Sequence, residues 1–337
     1  MHDAIPIGKL PAEHLARLLA KYTRHDPRLV VGARMGEDAA VIDMGDRYLV
    51  AKTDPITFAT EEIGWYVVNI NANDVACAGA QPRWFLATLL LPEGKTDVQL
   101  VDAIFDQMAG ACHQLDVTLV GGHTEITYGL DRPVVVGQML GEVAPDRCVT
   151  TAGVRVGDDI ILTKGVAVEG TAIIAREKAD DLKDAFPSEY VLRCQGFLHD
   201  PGISVVHDAQ VAQQAGMVHA MHDPTEGGLA TGLWEMALAA GLGLEINQNA
   251  IPILPETAAL CTRFGLDPLG LIASGSLLIA CPPTETVAIL DALQAAGILA
   301  ARVGRAVEKS QGCALVEAKG RRPLPTFARD EIARLFE

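Results

Sequence analysis

At 337 residues the chain exceeds what one ordinary hydrophobic core needs, which favours two domains, and 49% hydrophobic with 21% charged residues excludes a disordered or fibrous chain. A formal net charge of −16 with no Lys/Arg-rich stripe argues against nucleic-acid binding, and it asks for a divalent cation such as Mg2+ between any acidic site and a phosphorylated ligand. Seven scattered cysteines in no zinc or C-x-x-C spacing read as reduced, mostly buried thiols, and with neither a leader pattern nor a membrane-length apolar run the expected location is cytoplasmic, away from membranes.

In chain order, Pro11 suits a first helical turn, and Leu15, Leu18, Leu19 and Tyr22 recur at helical spacing until Asp26-Pro27 stops the helix, a candidate lid or brace. Apolar runs at 39–42 and 48–51 flank Gly45-Asp46 and predict a hairpin. A helix over 61–78, a strand over 84–91, a helix over 98–115 and strands over 118–120 and 133–143 complete a layered unit. After Ala144-Pro145-Asp146-Arg147 the alternation restarts with a strand at 159–163, helices at 170–176, 189–197 and 204–215, and a strand at 218–221. A helix at 227–240, a strand at 244–246, a helix at 256–264, a strand at 276–280, a helix at 284–296 and a strand at 302–307 follow. The expected class is α+β, with domains over 1–150 and 151–337.

Five segments carry chemistry. Gly36-Glu37-Asp38-Ala39-Ala40 places two carboxylates before a strand, suited to a hard cation, although an isolated example is more often a solvated acidic turn. Lys52-Thr53-Asp54-Pro55 ends a strand on an acid that is as well read as a turn former. In the helix over 61–78, Asn71 and Asp74 share a face through their i, i+3 spacing among apolar neighbours, so Asp74 needs a cation, a partner or a capping role. Gly121-Gly122-His123-Thr124-Glu125 follows an apolar strand as a turn that lets backbone approach a ligand; a lone histidine such as His123 is more often structural. His222-Asp223-Pro224-Thr225-Glu226-Gly227-Gly228 opens a helix, where Asp223 or Thr225 serves either as N-cap or beside a metal–phosphate group. Walker, kinase and dinucleotide glycine motifs are absent from the sequence.

In order and spacing, these segments resemble the aminoimidazole ribonucleotide synthetase superfamily over nearly the whole chain. That superfamily includes thiamine-monophosphate kinase, selenophosphate synthetase and the hydrogenase-maturation carbamoyl dehydratase. Gly265-Leu266-Asp267-Pro268-Leu269 and the Asp223-x-Thr225-x-Gly227-Gly228 pattern are similar to the hydrogenase-maturation branch. The resemblance implies a homodimer whose N-terminal sheets join, and an ATP and Mg2+ site near the inter-domain cleft. Glu37, Asp38, Asp54, Asp74 and Asp223 would hold metal, with Gly36, Asn71, Gly121, Gly122, Thr124 and Thr225 at the nucleotide and His123 and Glu125 in proton transfer.

The implied reaction is phosphoryl transfer from ATP to an amide or carbonyl oxygen of a small or protein-carried substrate, with a maturation protein as a possible partner. Glu37 and His123 stand where the family often has aspartate, Ala273-Ser274-Gly275-Ser276 replaces an N-E-G, and the sequence ends Arg334-Leu335-Phe336-Glu337 where the branch has Pro-Arg-Ile-Cys. A small-molecule kinase and a non-catalytic nucleotide-binding partner are the alternatives.

Overall fold

A computed structural model describes residues 10–33, 37–57, 61–317 and 320–336. Its first half runs α1 (Ala12–Tyr22), β1 (Leu29–Val31), β2 (Ala40–Asp43), β3 (Tyr48–Ile56), α2 (Ile63–Cys77), β4 (Gln81–Pro92), α3 (Val98–Gln114), β5 (Thr118–Thr127) and β6 (Val134–Val143). These strands form one sheet in the order β1-β2-β3-β6-β4-β5, antiparallel except between β4 and β5. Alternation along β4 sends Phe85, Ala87, Leu89 and Leu91 inward. Each large apolar side chain so buried is worth about 1.5–3 kcal/mol.

Helix α2 lies across this sheet and also meets α3, α7 and β8. Apolar nearly all round, it is the kind of helix that must be buried, and all its residues but Trp65 and Ile70 are. Gly64 permits its close crossing of α3, since a Cβ there would stand 2.4 Å from the Ile104 carbonyl oxygen.

The second half comprises β7 (Asp159–Thr163), α4 (Val168–Glu177), α5 (Ala179–Leu182), α6 (Ser188–Gln195), α7 (Val206–Ala215), β8 (Ala220–His222), α8 (Gly228–Ala240), β9 (Gly243–Asn247), α9 (Pro255–Phe264), β10 (Leu278–Cys281), α10 (Thr286–Ala295), β11 (Ala300–Val307), β12 (Ala314–Glu317) and β13 (Gly320–Pro323). The second sheet has the order β13-β12-β9-β11-β7-β10-β8, parallel only between β9 and β12. The class is therefore α+β, two mixed sheets with helices on their faces.

The halves share a core. One cluster of buried side chains runs from Val67, Val75 and Met139 to Ile161, Val205 and Met221. Asn73 fastens α2 to the second half: its Nδ2 donates to the Ile203 carbonyl oxygen and its Oδ1 accepts from the Val205 N–H, both at 2.8 Å.

Several local expectations change. β3 continues through Lys52-Thr53-Asp54-Pro55 to Ile56 rather than turning. β2 pairs with it only as far as Ala51, and beyond that point no described strand pairs with that side of β3, a setting that tolerates proline. The Gly121–Gly122 turn is likewise strand, the middle of β5 paired to β4. α8 begins at Gly228 with Gly227 as its N-cap and no side-chain cap, so neither Asp223 nor Thr225 caps it. Asp330 serves instead, its Oδ2 accepting from the Gly227 N–H at 2.6 Å. None of the described α1 side chains is buried, so α1 braces no core of this chain.

Candidate active site

Four acids of the candidate set, Asp38, Asp54, Asp74 and Asp223, converge where α2 meets β3, the segment before β2 and the segment after β8. Lys52 and Asp54 are two apart on β3 and so share a face of the strand. Lys52 Nζ lies 2.7 Å from Asp74 Oδ2 and 3.4 Å from Asp54 Oδ2. Asn71, one helical turn before Asp74, donates from Nδ2 to the Asp54 carbonyl oxygen at 3.2 Å and to the Val67 carbonyl oxygen at 2.8 Å. It fits because Gly137 of β6 has no side chain; a Cβ there would stand 2.3 Å from Asn71 Nδ2. Asn71 thus fixes the backbone that carries Asp54.

From the second half, Asp223 Oδ1 accepts from Cys77 Sγ at 3.4 Å, while its Oδ2 is buried without a partner. His222 joins Asp38, 3.2 Å from its Nδ1, to Glu235, 3.0 Å from its Nε2. A small cavity lined by Glu37, Asp38, Asp74, Cys77, Thr150 and Thr151 opens onto this group.

The electrostatics follow from burial and crowding. Burial opposes charge on Lys52, but Asp74, Asp54 and Asp38 outweigh it and hold the ammonium protonated. Burial pushes the Asp74 carboxyl up; Lys52 opposes the rise, and Asp223 and Asp38 add to it. Asp223 is pushed up to about 6, chiefly by burial, with His222 pulling the other way. For His222 the Asp38 and Glu235 carboxylates overcome burial and raise it well above the usual imidazole value. Cys77 is pushed far up by burial and by the surrounding acids, which leaves it a thiol and not a nucleophile.

Negative charge is in excess here, and the donors are hard oxygens with two buried ones, Asp223 Oδ2 and Asn71 Oδ1, orphaned, the chemistry that suits Mg2+. Among the described residues no three acidic, histidine or cysteine side chains are gathered tightly enough to hold an ion as they stand. Lys52 keeps Asp54 and Asp74, and His222 keeps Asp38.

Residues 36–143 match the AIR synthase related protein N-terminal domain, and residues 155–316 the corresponding C-terminal domain. Carbamoyl dehydratase HypE of Cupriavidus necator is 31% identical over 90% of this chain and 86% of its own length. HypE of Rhodobacter capsulatus is 34% identical over 85% and 81%. The chain belongs to the AIR synthase related family, on its hydrogenase-maturation side. A solved HypE in complex with ATP superposes with a TM-score of 0.72, covering 98% of each chain at 24% identity.

Within this AIR synthase related chain the other candidates stand apart. β6 and β4 lie between β3 and β5, which puts β5 roughly 14 Å from β3 at ordinary strand spacing. His123 and Glu125 are exposed on β5 and pair with each other at 3.2 Å. Gly121, Gly122, His123 and Thr124 line a separate cavity of about 180 Å³ against Phe105 and Met108 of α3. Gly122 has φ +149°, and a Cβ on it would stand 1.9 Å from the Ala87 carbonyl oxygen, so its glycine lets β5 lie against β4. Thr225 acts through its carbonyl, which accepts from Ala273 and Gly228. Gly36 lies outside the described residues.

Sequence reasoning missed Lys52, which an i, i+2 pairing with Asp54 on a strand would have signalled, and it left His222 without a role. It also missed Glu169, buried in the first turn of α4 with Oε2 unpartnered. Burial pushes Glu169 up to about 7, opposed by hydrogen bonds from the Ser274 hydroxyl and backbone N–H. No local pattern marks it, because Ser274 is distant in sequence.

Proposed function

We propose that this chain is an ATP-using, Mg2+-dependent enzyme that transfers a phosphoryl group to an amide or carbonyl oxygen, as carbamoyl dehydratases do. The supporting observation is the acidic group of Asp38, Asp54, Asp74 and Asp223 assembled from both halves around a buried orphan oxygen. These four, with Glu37, are the residues that would hold Mg2+. Bound there, the ion supplies charge neutralisation for the phosphate chain.

The chain's own side chains set the geometry. Asn71 fixes Asp54, His222 fixes Asp38, and the Cys77 thiol orients one oxygen of Asp223. Phosphorylating an amide oxygen turns it into a leaving group, so that loss of phosphate and of the nitrogen's protons completes a dehydration.

In this reading the chain works as a homodimer. β5 is a sheet edge with Val120, Ile126 and nearby Tyr128 exposed, and joining it to a second copy would bring His123 and Glu125 close to that copy. A HypE–HypF complex of the same fold supports a maturation protein as a further partner.

Calorimetric titration of ATP with and without Mg2+ tests the reading. Binding that needs Mg2+ is expected; no binding under either condition would sink it. With an acceptor in hand, free phosphate and a dehydrated product distinguish this reaction from a kinase.

A further inference from the structure

We propose that Lys52 is an internal cation of the phosphate site, its ammonium standing in for one divalent ion between Asp54 and Asp74. This deepens the ATP reading above and rests on it. The placement is built in. Strand period sets Lys52 and Asp54 on one face of β3, α2 brings Asp74 to the same point, and Nζ lies 2.7 Å from one carboxylate and 3.4 Å from the other.

Structural pairing alone explains this poorly. Buried ion pairs are often replaceable by apolar side chains without loss of stability, so the pair calls for another role. Its position supplies one. Asp74 is 7% exposed and lines the acidic cavity, whereas Asp54 is 38% exposed, so the ammonium spans the border between interior and open cleft. Two carboxylates facing a common point match the charge of one divalent ion. Lys52 takes that point, and a lysine ammonium also meets a phosphate as a compact point charge. The site therefore takes nucleotide with one metal ion fewer than its carboxylates would otherwise gather.

The test counts ions instead of turnover. Mn2+ bound to the full chain is measured by electron paramagnetic resonance in wild type, Lys52→Met and Lys52→Arg, with and without a non-hydrolysable ATP analogue. Lys52→Met should bind one additional Mn2+ per chain, or bind Mn2+ about tenfold more tightly, while Lys52→Arg keeps the wild-type count. Mg2+ should also raise the melting temperature of Lys52→Met more than that of wild type. If Lys52→Met is unfolded without metal, refolding on addition of Mg2+, followed by circular dichroism, supports the proposal, and failure to refold overturns it.

Equal Mn2+ counts and affinities in wild type and Lys52→Met, with the analogue still bound by wild type, would overturn the role of Lys52 and leave the ATP reading standing. Failure of wild type to bind the analogue with any metal overturns both.

Discussion

The acidic pocket between the halves and the β5 edge are marked in the sequence by the same kind of signal, acids and polar groups beside apolar runs. The fold treats them in opposite ways. In the pocket the acids are held largely from other elements: the Asp54 backbone by Asn71, and the side chains of Asp74 by Lys52, Asp223 by Cys77 and Asp38 by His222. On β5 His123 and Glu125 are exposed and, among the described residues, pair with each other rather than with an acid or base of another element. A motif acquires chemistry from what stands opposite it. The pocket gathers charge within one chain, while β5 would gain a facing surface only in the homodimer proposed above.

The sharpest break of this contrast is Asp74→Asn. If the pocket is the phosphate site, calorimetry should show Mg2+-dependent ATP affinity falling on the order of a thousandfold, about 4 kcal/mol, whereas His123→Ala, measured as a dilute monomer, should leave it unchanged. Equal losses would dissolve the distinction.

Glu169 probes the buried side by pH. Its folded pKa of about 7 lies above the ordinary carboxylate value, so its stabilising contribution is present in the protonated form at low pH and is lost as pH rises through about 7. Glu169→Gln removes that loss. It should stabilise the protein at about pH 8 by up to about 3 kcal/mol and leave it nearly unchanged near pH 4. Denaturant titrations at the two pH values check the sign.

Gly122→Ala probes the edge. Its Cβ would collide with the Ala87 carbonyl, and a cost of about 2 kcal/mol in chemical denaturation is expected with pocket ligands untouched. The smallest stability effect belongs to Ile126→Lys, on an exposed residue. It should shift the melting point little but convert dimer to monomer in analytical ultracentrifugation.

Much of the fold was legible because its elements are long and periodic. The helix expected over 61–78 is α2 (Ile63–Cys77), and the one over 98–115 is α3 (Val98–Gln114). β1, β12 and β13 were not foreseen; they are only three or four residues long, and neighbours define them more than pattern does. Reading Lys52-Thr53-Asp54-Pro55 as a strand end failed because proline was weighed without knowing that β2 stops short.

At the site, acids announced themselves, but their holders did not. Asn71 was visible as sharing a helix face with Asp74, yet its bond to the Asp54 carbonyl depends on β3 lying beneath it. Asp330 capping Gly227 from 103 residues away leaves no trace in local sequence.

The bond pair at Asn73 reaches beyond the site. Because one amide on α2 satisfies both a carbonyl and an N–H of the second half, and buried side chains run unbroken between the halves, neither sheet can open without stranding polar groups in the other. Two domains by topology should then melt as one cooperative unit, a single calorimetric peak with matching van't Hoff enthalpy. Asn73→Ala would be the change that uncouples them, letting a half-molten species accumulate on heating.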